Sequence, residues 1–434
     1  MSTAVLDESK VETKVFAQTQ TETRWIGIRH RVKQTAEGKP SPTQVHIADK
    51  DGGRLLELDD EQDELDFVFG IMPTGFRDVL EGEDLSCFKP HHVVTKGKGD
   101  KKRTQVPSGY EGLFEGDVVG TILGGSGDYL AYAIAVRCEK IGAKIFRIPP
   151  ARLKDNRPEG EKDKTENDAS LLARLVRENR EEFYPVFVKD KDQILCRILY
   201  ATRRDAMKDR IRCEQRLYRR VIGETFCSAE GLYPQGGLEK LFDLRKANDG
   251  ALKVLVAEEE EAIRKLEKEA LPKIAMYTEV LSKIDGLGPL VGARLANAIQ
   301  DIRRFPTEAK LMAYLGVHLR DGKFPRQRHG AQANWSGEGR QGFYLFSDQF
   351  SIWRPKSVWG QYFERMKAGF RTKHPQVELV DGANGKKVKK YTDGHIHKMA
   401  RWRTMTRCCR RIFKDLWKLE RGTLQVSGDG QALS

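Results

Sequence analysis

The stretch "GDVVGTILGGSGDYLAYAIAVRCEKIGAKIFRIPP" constrains the fold more than any other part of the chain. It reads as a buried apolar strand, a glycine-containing turn, an amphipathic helix and a second strand stopped by Pro149 and Pro150. Two strands joined through a helix run parallel, since a tight hairpin cannot make that connection. The N-terminal part must therefore hold an α/β layer. Upstream, "RWIGIRHRV" and "TQVHIADKDGGRLLEL" read as strands, separated by the polar linker "QTAEGKPSP". "ELDDEQDELDF" begins an acidic surface helix, and "VTKGKGDKKRTQVPSGYEG" reads as a basic loop. "NDASLLARLVREN" supplies another helix.

From Lys191 to Ile284 the pattern changes to long helices. Leu252, Leu255, Val256, Ala262, Ile263, Leu266, Ile274, Tyr277, Leu281 and Ile284 recur every three or four positions among Glu and Lys. This predicts a coiled-coil or helical-hairpin spacer, kinked at Pro272. A mostly α-helical, basic segment follows. The expected organisation is a disordered 1–22, an α/β domain over 23–188, a helical spacer over 189–283, a C-terminal domain over 284–422 and a flexible 423–434.

The 434 residues carry a formal net charge of +13, which favours a polyanionic partner. The excess is concentrated late, in "KKVKKYTDGHIHKMARWRTMTRCCRRIFKDLWKLER", where cations alternate with aromatic rings. That mixture suits phosphate contact and base stacking. A purely structural coiled-coil protein leaves this tail unexplained. No apolar run approaches the roughly 20 residues that span a bilayer. The N-terminus lacks the apolar core of a secretory signal, so a cytoplasmic, nucleoid-associated protein with no membrane partner is expected. The 7 cysteines include no CxxC pair, so neither zinc nor a disulfide framework is expected of them.

Four residue sets invite chemistry, each with a plainer alternative. In "IDGLGPLVGARLANAI", Gly286 and Gly288 open a helix whose free N–H groups can meet a phosphate, as they can in any inter-helix turn. Arg294, Arg303 and Arg304 follow; Arg326, Arg328, Arg340, Lys398, Arg401 and Arg403 extend the basic set as candidate contacts to a nucleic-acid backbone. Asp49, Asp128, Asp163, Glu166 and Asp168 are the candidate metal carboxylates, since two-metal phosphoryl chemistry requires several that converge. Acidic residues at a helix start are also favoured by the dipole alone. Ser336, in the basic stretch before "GEGRQGFYLF", is a candidate nucleophile or a helix N-cap. His395 and His397 have no third ligand at motif spacing.

In this order the pieces resemble the insertion-sequence transposases of the Piv/MooV invertase group. "LSKIDGLGPLVGARLANAIQDIRRFPTEAKLMAYLGV" is similar to that family's C-terminal segment. "GGSGDYLAYAIAVRCEKIGAKIFRIPPARLK" is similar to its strand–helix–strand, and "KTENDASLLARL" to its "KTDxxDAxxLA". The resemblance implies a RuvC-like (RNase H-like) N-terminal domain with a DEDD carboxylate set, a coiled coil, and a C-terminal domain with a catalytic serine. It implies Mg²⁺ as cofactor, DNA as element ends and target, and a structured guide RNA; recombination needs at least two strand-exchanging subunits, so a dimer or tetramer is expected. Asp168 matches the last acid of the set. The other positions differ: Arg29 stands at the first strand's Asp, Gly124 at the Glu and Thr165 at the next Asp. Asp321-Gly322 stands at the Ser-Gly, leaving Ser336 as the nearest serine. Two readings follow. One is a transposase with relocated carboxylates; the other is a catalytically degenerate relative that binds nucleic acid.

Overall fold

The computed structural model describes residues 23–31, 41–49, 52–96, 102–124, 127–160, 167–187, 189–228, 233–319, 335–381 and 387–428. The chain forms two compact units, Met1–Phe187 and Val188–Ser434.

The first unit is built on strands β1 (Trp25–Arg29), β2 (Thr43–Asp49) and β3 (Gly52–Leu58), and helix α1 (Glu61–Phe69) follows them. Next come β4 (Met72–Asp78), β5 (Val94–Lys96) and β6 (Arg103–Glu111). Then β7 (Val118–Ile122), α2 (Asp128–Ile141), β8 (Lys144–Ile148), α3 (Pro150–Asn156), α4 (Asp168–Glu178) and β9 (Tyr184–Pro185) complete it. The main sheet is 6-stranded in the order β3-β2-β1-β7-β8-β9. β1 pairs antiparallel with β2 and parallel with β7, and β7 pairs parallel with β8. The parallel pair on either side of α2 is the unit expected from the sequence.

Alternation along β1 divides its two faces. Ile26 and Ile28 are buried with Val45, Val119, Leu130 and Ile134 beneath α2. Gly27 faces the other way, toward α4, whose Leu171, Leu172, Leu175 and Val176 form a second core with Val118 and Ile148. Gly27 and Gly120 are register partners on β1 and β7. A Cβ on Gly27 would lie 1.9 Å from the Ala169 carbonyl oxygen and 2.4 Å from the Ala173 nitrogen. One on Gly120 would lie 2.9 Å from Val176 Cβ. The two glycines thus let α4 lie directly on the sheet.

The basic stretch read as a loop instead forms strands. β4, β6 and β5 make a 3-stranded antiparallel sheet. Val106 and Pro107 are buried in it, with Glu111 at the end of β6, while Thr95, Lys96, Arg103 and Ser108 are exposed. Adjacent buried residues at Val106 and Pro107 break the alternation by which a strand is detected.

The second unit begins with α5 (Lys189–Phe226), α6 (Gly237–Asn248) and α7 (Gly250–Lys265). Cys213 and Leu217 of α5 pack on Leu252, while Cys196 packs on Leu266 and Ala270. These pairings run in opposite directions, so α5 and α7 form an antiparallel helical hairpin. Beyond α7 the chain passes through a π-turn over Leu266–Ala270 and a 3-10 turn containing Pro272. It leaves helical geometry at Ile274, so Pro272 ends the helix rather than bending it. Then follow α8 (Pro289–Ile299), α9 (Glu308–Tyr314), α10 (Gly337–Ile352) and α11 (Val358–Lys373). A ribbon of β10 (Glu378–Asp381) and β11 (Lys387–Lys390) leads into α12 (Asp393–Gly428). Leu281, placed in the spacer by periodicity, is buried with Val280 in one large core with Leu295, Phe343, Phe346, Phe363, Cys408 and Ile412. Among the described residues no helix is long and apolar enough to cross a membrane.

Gly27→Ala is expected to destabilise the first unit by about 3 kcal/mol, because the clash is with backbone and α4 must lift. Denaturant unfolding measures it; an unchanged midpoint would show that α4 does not rest on β1.

Candidate functional site

The parallel strands β1, β7 and β8 share one carboxyl end, the edge where open α/β sheets bind ligands. Arg29 ends β1, α2 starts at Asp128 after β7, and α3 starts directly after β8. The start of α4 reaches the same region, since Ala169 lies against Gly27.

Each buried carboxylate at this edge is held by an arginine. Asp168, 2% exposed, accepts from Arg157 Nε at 2.9 Å and from Arg157 Nη2 at 2.8 Å. Asp128, 6% exposed, accepts from Arg147 Nη1 at 3.2 Å and from the Gly124 N–H at 3.0 Å. Glu64 of α1 accepts from Arg31 Nε at 3.1 Å, Arg31 Nη2 at 2.8 Å and the Thr43 hydroxyl at 2.5 Å. His30 Nε2 lies 3.6 Å from Glu64. Burial lowers the His30 pKa below the ordinary imidazole range, against the pull of the Glu64 charge. Arg29 is itself buried and donates to Ser41 Oγ at 2.9 Å and Gln44 Oε1 at 3.1 Å.

Asp49 is not part of this edge. The register sets Ala48 beside Trp25, so Asp49 lies at the amino end of β1. Asp163 and Glu166 lie outside the described residues, as do Arg326 and Arg328. The described donor set does not fit a magnesium pair. Two-metal chemistry needs several carboxylates free to converge; here Asp128, Asp168 and Glu64 are already neutralised by guanidinium groups, and breaking a buried pair costs about 3–5 kcal/mol.

In the second unit, Ser336 caps α10, its Oγ accepting from the Gly339 N–H at 3.1 Å. Two residues on, Glu338 accepts from the Tyr200 hydroxyl at 2.5 Å, and Arg294 Nε donates to the Tyr200 oxygen at 3.0 Å. Burial, then the bond to Glu338, pushes the Tyr200 phenol up to about 12. Arg340 lies over the Trp335 ring at 5.1 Å and over Trp402 at 5.8 Å, and burial draws its pKa down. The serine thus lies two residues from the half-buried Glu338, which joins the buried Tyr200 and Arg294, and four from Arg340, whose guanidinium lies over Trp335 and Trp402.

The candidate backbone-binding residues divide by burial. Arg294 is committed to Tyr200 and Glu338. Arg303, 1% exposed, binds Asp301, Asp190 and Glu420 and holds the core rather than facing a polyanion. Arg304 donates to the Ile299 carbonyl and Gln300, and Arg401 to Ser347 and Asp348. Lys398 and Arg403 are exposed on α12. Gly286 adopts a left-handed φ of 84°, and Gly288 precedes Pro289 at the α8 start without a side-chain cap.

Glu64, Arg147, Arg157, Tyr200 and Glu338 were not singled out from sequence. Glu64 lay within an acidic run, where no signal separates the one inward carboxylate from its solvated neighbours. Tyr200 and Glu338 meet across 138 positions of chain.

Residues 278–338 match the model of the Transposase IS116/IS110/IS902 family. The match supports an insertion-sequence transposase. It begins before α8, takes in α8 and α9, and ends at the start of α10 on Glu338. No curated protein matches the chain.

Tyr200 makes the second unit's stability depend on high pH. Its phenol ionises near 12 when folded, against an ordinary value of 10.0, so stability present below pH 10 is lost as pH rises toward 12. Tyr200→Phe is expected to flatten that loss in alkaline denaturation curves. An identical slope in both proteins would place the phenol in water.

Proposed function

We propose that the protein is an insertion-sequence transposase, a site-specific DNA recombinase that cleaves and rejoins the ends of its own element. The family match over residues 278–338 carries this reading. The mixed sheet with buried carboxylates at its carboxyl end supports a RuvC-like assignment for the first unit, and the α5–α7 hairpin takes the place of the coiled coil. Asp168 and Asp128 are the proposed catalytic carboxylates and Ser336 the proposed nucleophile, with Glu338 and Arg340 beside it. Mg²⁺, a guide RNA and a dimeric or tetrameric assembly belong to the proposal through the resemblance; no step is routed through the metal, because Arg157 and Arg147 occupy the described carboxylates.

The proposed DNA-facing surface is one side of α12. Arg403, Arg407, Arg411, Lys414, Lys418 and Arg421 are exposed there and follow one another at three- or four-residue intervals. Such spacing puts them on a single helix face. Arg411 pairs with Asp415, and Arg421 lies over Trp417 at 5.9 Å. A row of cations beside an indole suits a phosphate backbone.

A second reading has its own support. Arg29 stands at the first strand position, and the paired Asp128 and Asp168 suit a relative that binds DNA without cutting it. Excision and rejoining of the flanking element in cells separates the two. Wild type is expected to recombine, while Asp168→Ala and Ser336→Ala lose the product although both still bind DNA. A wild type that binds its element ends but gives no excision, with all components supplied, sinks the catalytic reading. In a separate measurement, replacing Arg403, Arg407 and Lys414 by Ala is expected to reduce the salt slope of DNA binding by roughly 2–3, about 0.9 per lost phosphate contact. An unchanged slope moves the DNA surface elsewhere.

A further inference from the structure

Away from the carboxyl edge, Asp66, His91 and His92 bring one ligand atom each to within 4.8 Å of one another. Asp66 is in the last turns of α1, and the two histidines close a short 3-10 turn, Pro90–His92, that leads into β5. Asp66 Oδ2 lies 2.6 Å from His92 Nε2 and 3.1 Å from His91 Nε2. The rings of the two histidines stand edge to face with centroids 4.2 Å apart. Asp66 and His92 are 3% and 4% exposed, whereas the His91 side chain is 41% exposed. The His92 Nδ1 has no hydrogen-bond partner among the described residues, so that buried ring makes its polar contacts through the nitrogen aimed at Asp66.

Charge makes the cluster unusual. A buried carboxylate is costly unless it is paired. Elsewhere in this unit the buried acids take arginine; no arginine or lysine pairs with Asp66 among the described residues, and its ion-pair partners are the two imidazoles. Gln62 Nε2 donates to the other carboxylate oxygen at 3.0 Å. A cation bound by all three groups would balance the buried charge; Gln62 Nε2, which also lies 3.3 Å from His91 Nε2, would then keep its bond to the carboxylate.

The geometry points to a divalent transition-metal site formed by Asp66, His91 and His92, with Zn²⁺ as the fitting ion. Two imidazole nitrogens and one carboxylate oxygen are a donor set for zinc and its first-row neighbours, not for Mg²⁺ or Ca²⁺, which take oxygen. An ion about 2.0–2.1 Å from each ligand in tetrahedral geometry spaces the ligands by about 3.3 Å, so the 3.1 Å contact to His91 fits as it stands and the 2.6 Å contact to His92 has to open by about 0.7 Å on binding. The exposed side of His91 gives the ion its entry path and leaves the fourth position to water. Such an ion would tie the end of α1 to the 3-stranded sheet and so brace the helix that carries Glu64. The inference does not depend on the transposase reading.

The test uses the full chain, stripped with chelator and titrated with Zn²⁺ against a chromophoric competitor, with bound metal counted by mass spectrometry. One equivalent of Zn²⁺ is expected to bind, not displaced by millimolar Mg²⁺, and Co²⁺ in its place should give a visible absorption band. His91→Ala is expected to weaken binding by at least about 100-fold, and Asp66→Asn likewise, while His397→Ala leaves it unchanged. Because the His91 ring is exposed, its variant remains folded and decides the matter even where Asp66→Asn does not fold. No retained zinc at micromolar concentration, or the same affinity in His91→Ala as in wild type, would overturn the site and leave a cluster held by hydrogen bonds alone.

Discussion

The contact between α4 and the paired glycines of β1 and β7 is the constraint on which the first unit rests. Gly27 and Gly120 are adjacent in the sheet, and each sits where a methyl group would strike the helix. Without side chains between them, helix and sheet meet at backbone distance. That approach brings the first turn of α4, and with it Asp168, to the end of β1. The position of the most prominent candidate carboxylate is thus set by the absence of two side chains elsewhere. At the other end of β1 the chain is fixed differently. Arg24, 2% exposed, binds Asp117 and Glu111 and the Gly112 carbonyl. Burial alone would lower its pKa, but Asp117 and then Glu111 outweigh it and raise the guanidinium above its ordinary value. One end of the strand is locked by charge and the other is packed by omission.

That arrangement bears on what the carboxyl edge can do. Three buried acids lie along it, and each has acquired an arginine from a different segment: Arg31 beyond β1, Arg147 within β8, Arg157 after α3. The Asp168 pair is bidentate, the strongest geometry for such a contact. Carboxylates bound in this way resist a hard cation, because freeing them strands a guanidinium as well, a buried one in the case of Arg147. The edge is therefore electrostatically closed in this conformation, and strand cleavage there would require Arg157 to exchange Asp168 for another anion. A DNA phosphate is an anion of the right chemistry for a guanidinium fork.

Much of this was legible in the sequence, and the failures have physical causes. The β7–α2–β8 unit announced itself because strand and helix periods alternate there without ambiguity. In the second unit the apolar spacing from Leu252 onward predicts either a coiled coil or a helical hairpin, and the structure has the antiparallel α5–α7 hairpin. β5 and β6 were hidden, since the adjacent buried pair Val106 and Pro107 interrupts the alternation and most of the remaining positions are polar. The Asp168 helix start was readable, but its partner Arg157 lies 11 residues upstream in a segment with no periodicity. Arg303 shows the opposite failure. A cation beside "GLG" and another arginine suggests phosphate contact, whereas the side chain turns inward to Asp301, only two residues away, and to Asp190 and Glu420. Sequence gives the charge of a side chain but not its direction.

The same distinction applies to the family match itself. Leu287, Leu295, Ile299, Phe305, Leu311, Leu315 and Val317 all lie within residues 278–338, and all are buried in one core. Arg294 and Arg303 in the same segment are buried and paired. Most of what makes this segment recognisable is thus packing: a helix start without a side-chain cap, a tight turn and a ladder of apolar contacts to α10 and α12. Such a pattern can persist while the reacting groups change, because the two are carried by different residues. Polar contacts of the segment gather at its last positions, where Ser336 caps α10 and Glu338 meets Tyr200 and Arg294. A serine whose oxygen already accepts a backbone N–H has its hydroxyl proton still to donate. Serving as a helix cap therefore leaves Ser336 a proton to give up, and the two readings of that residue are compatible in one structure.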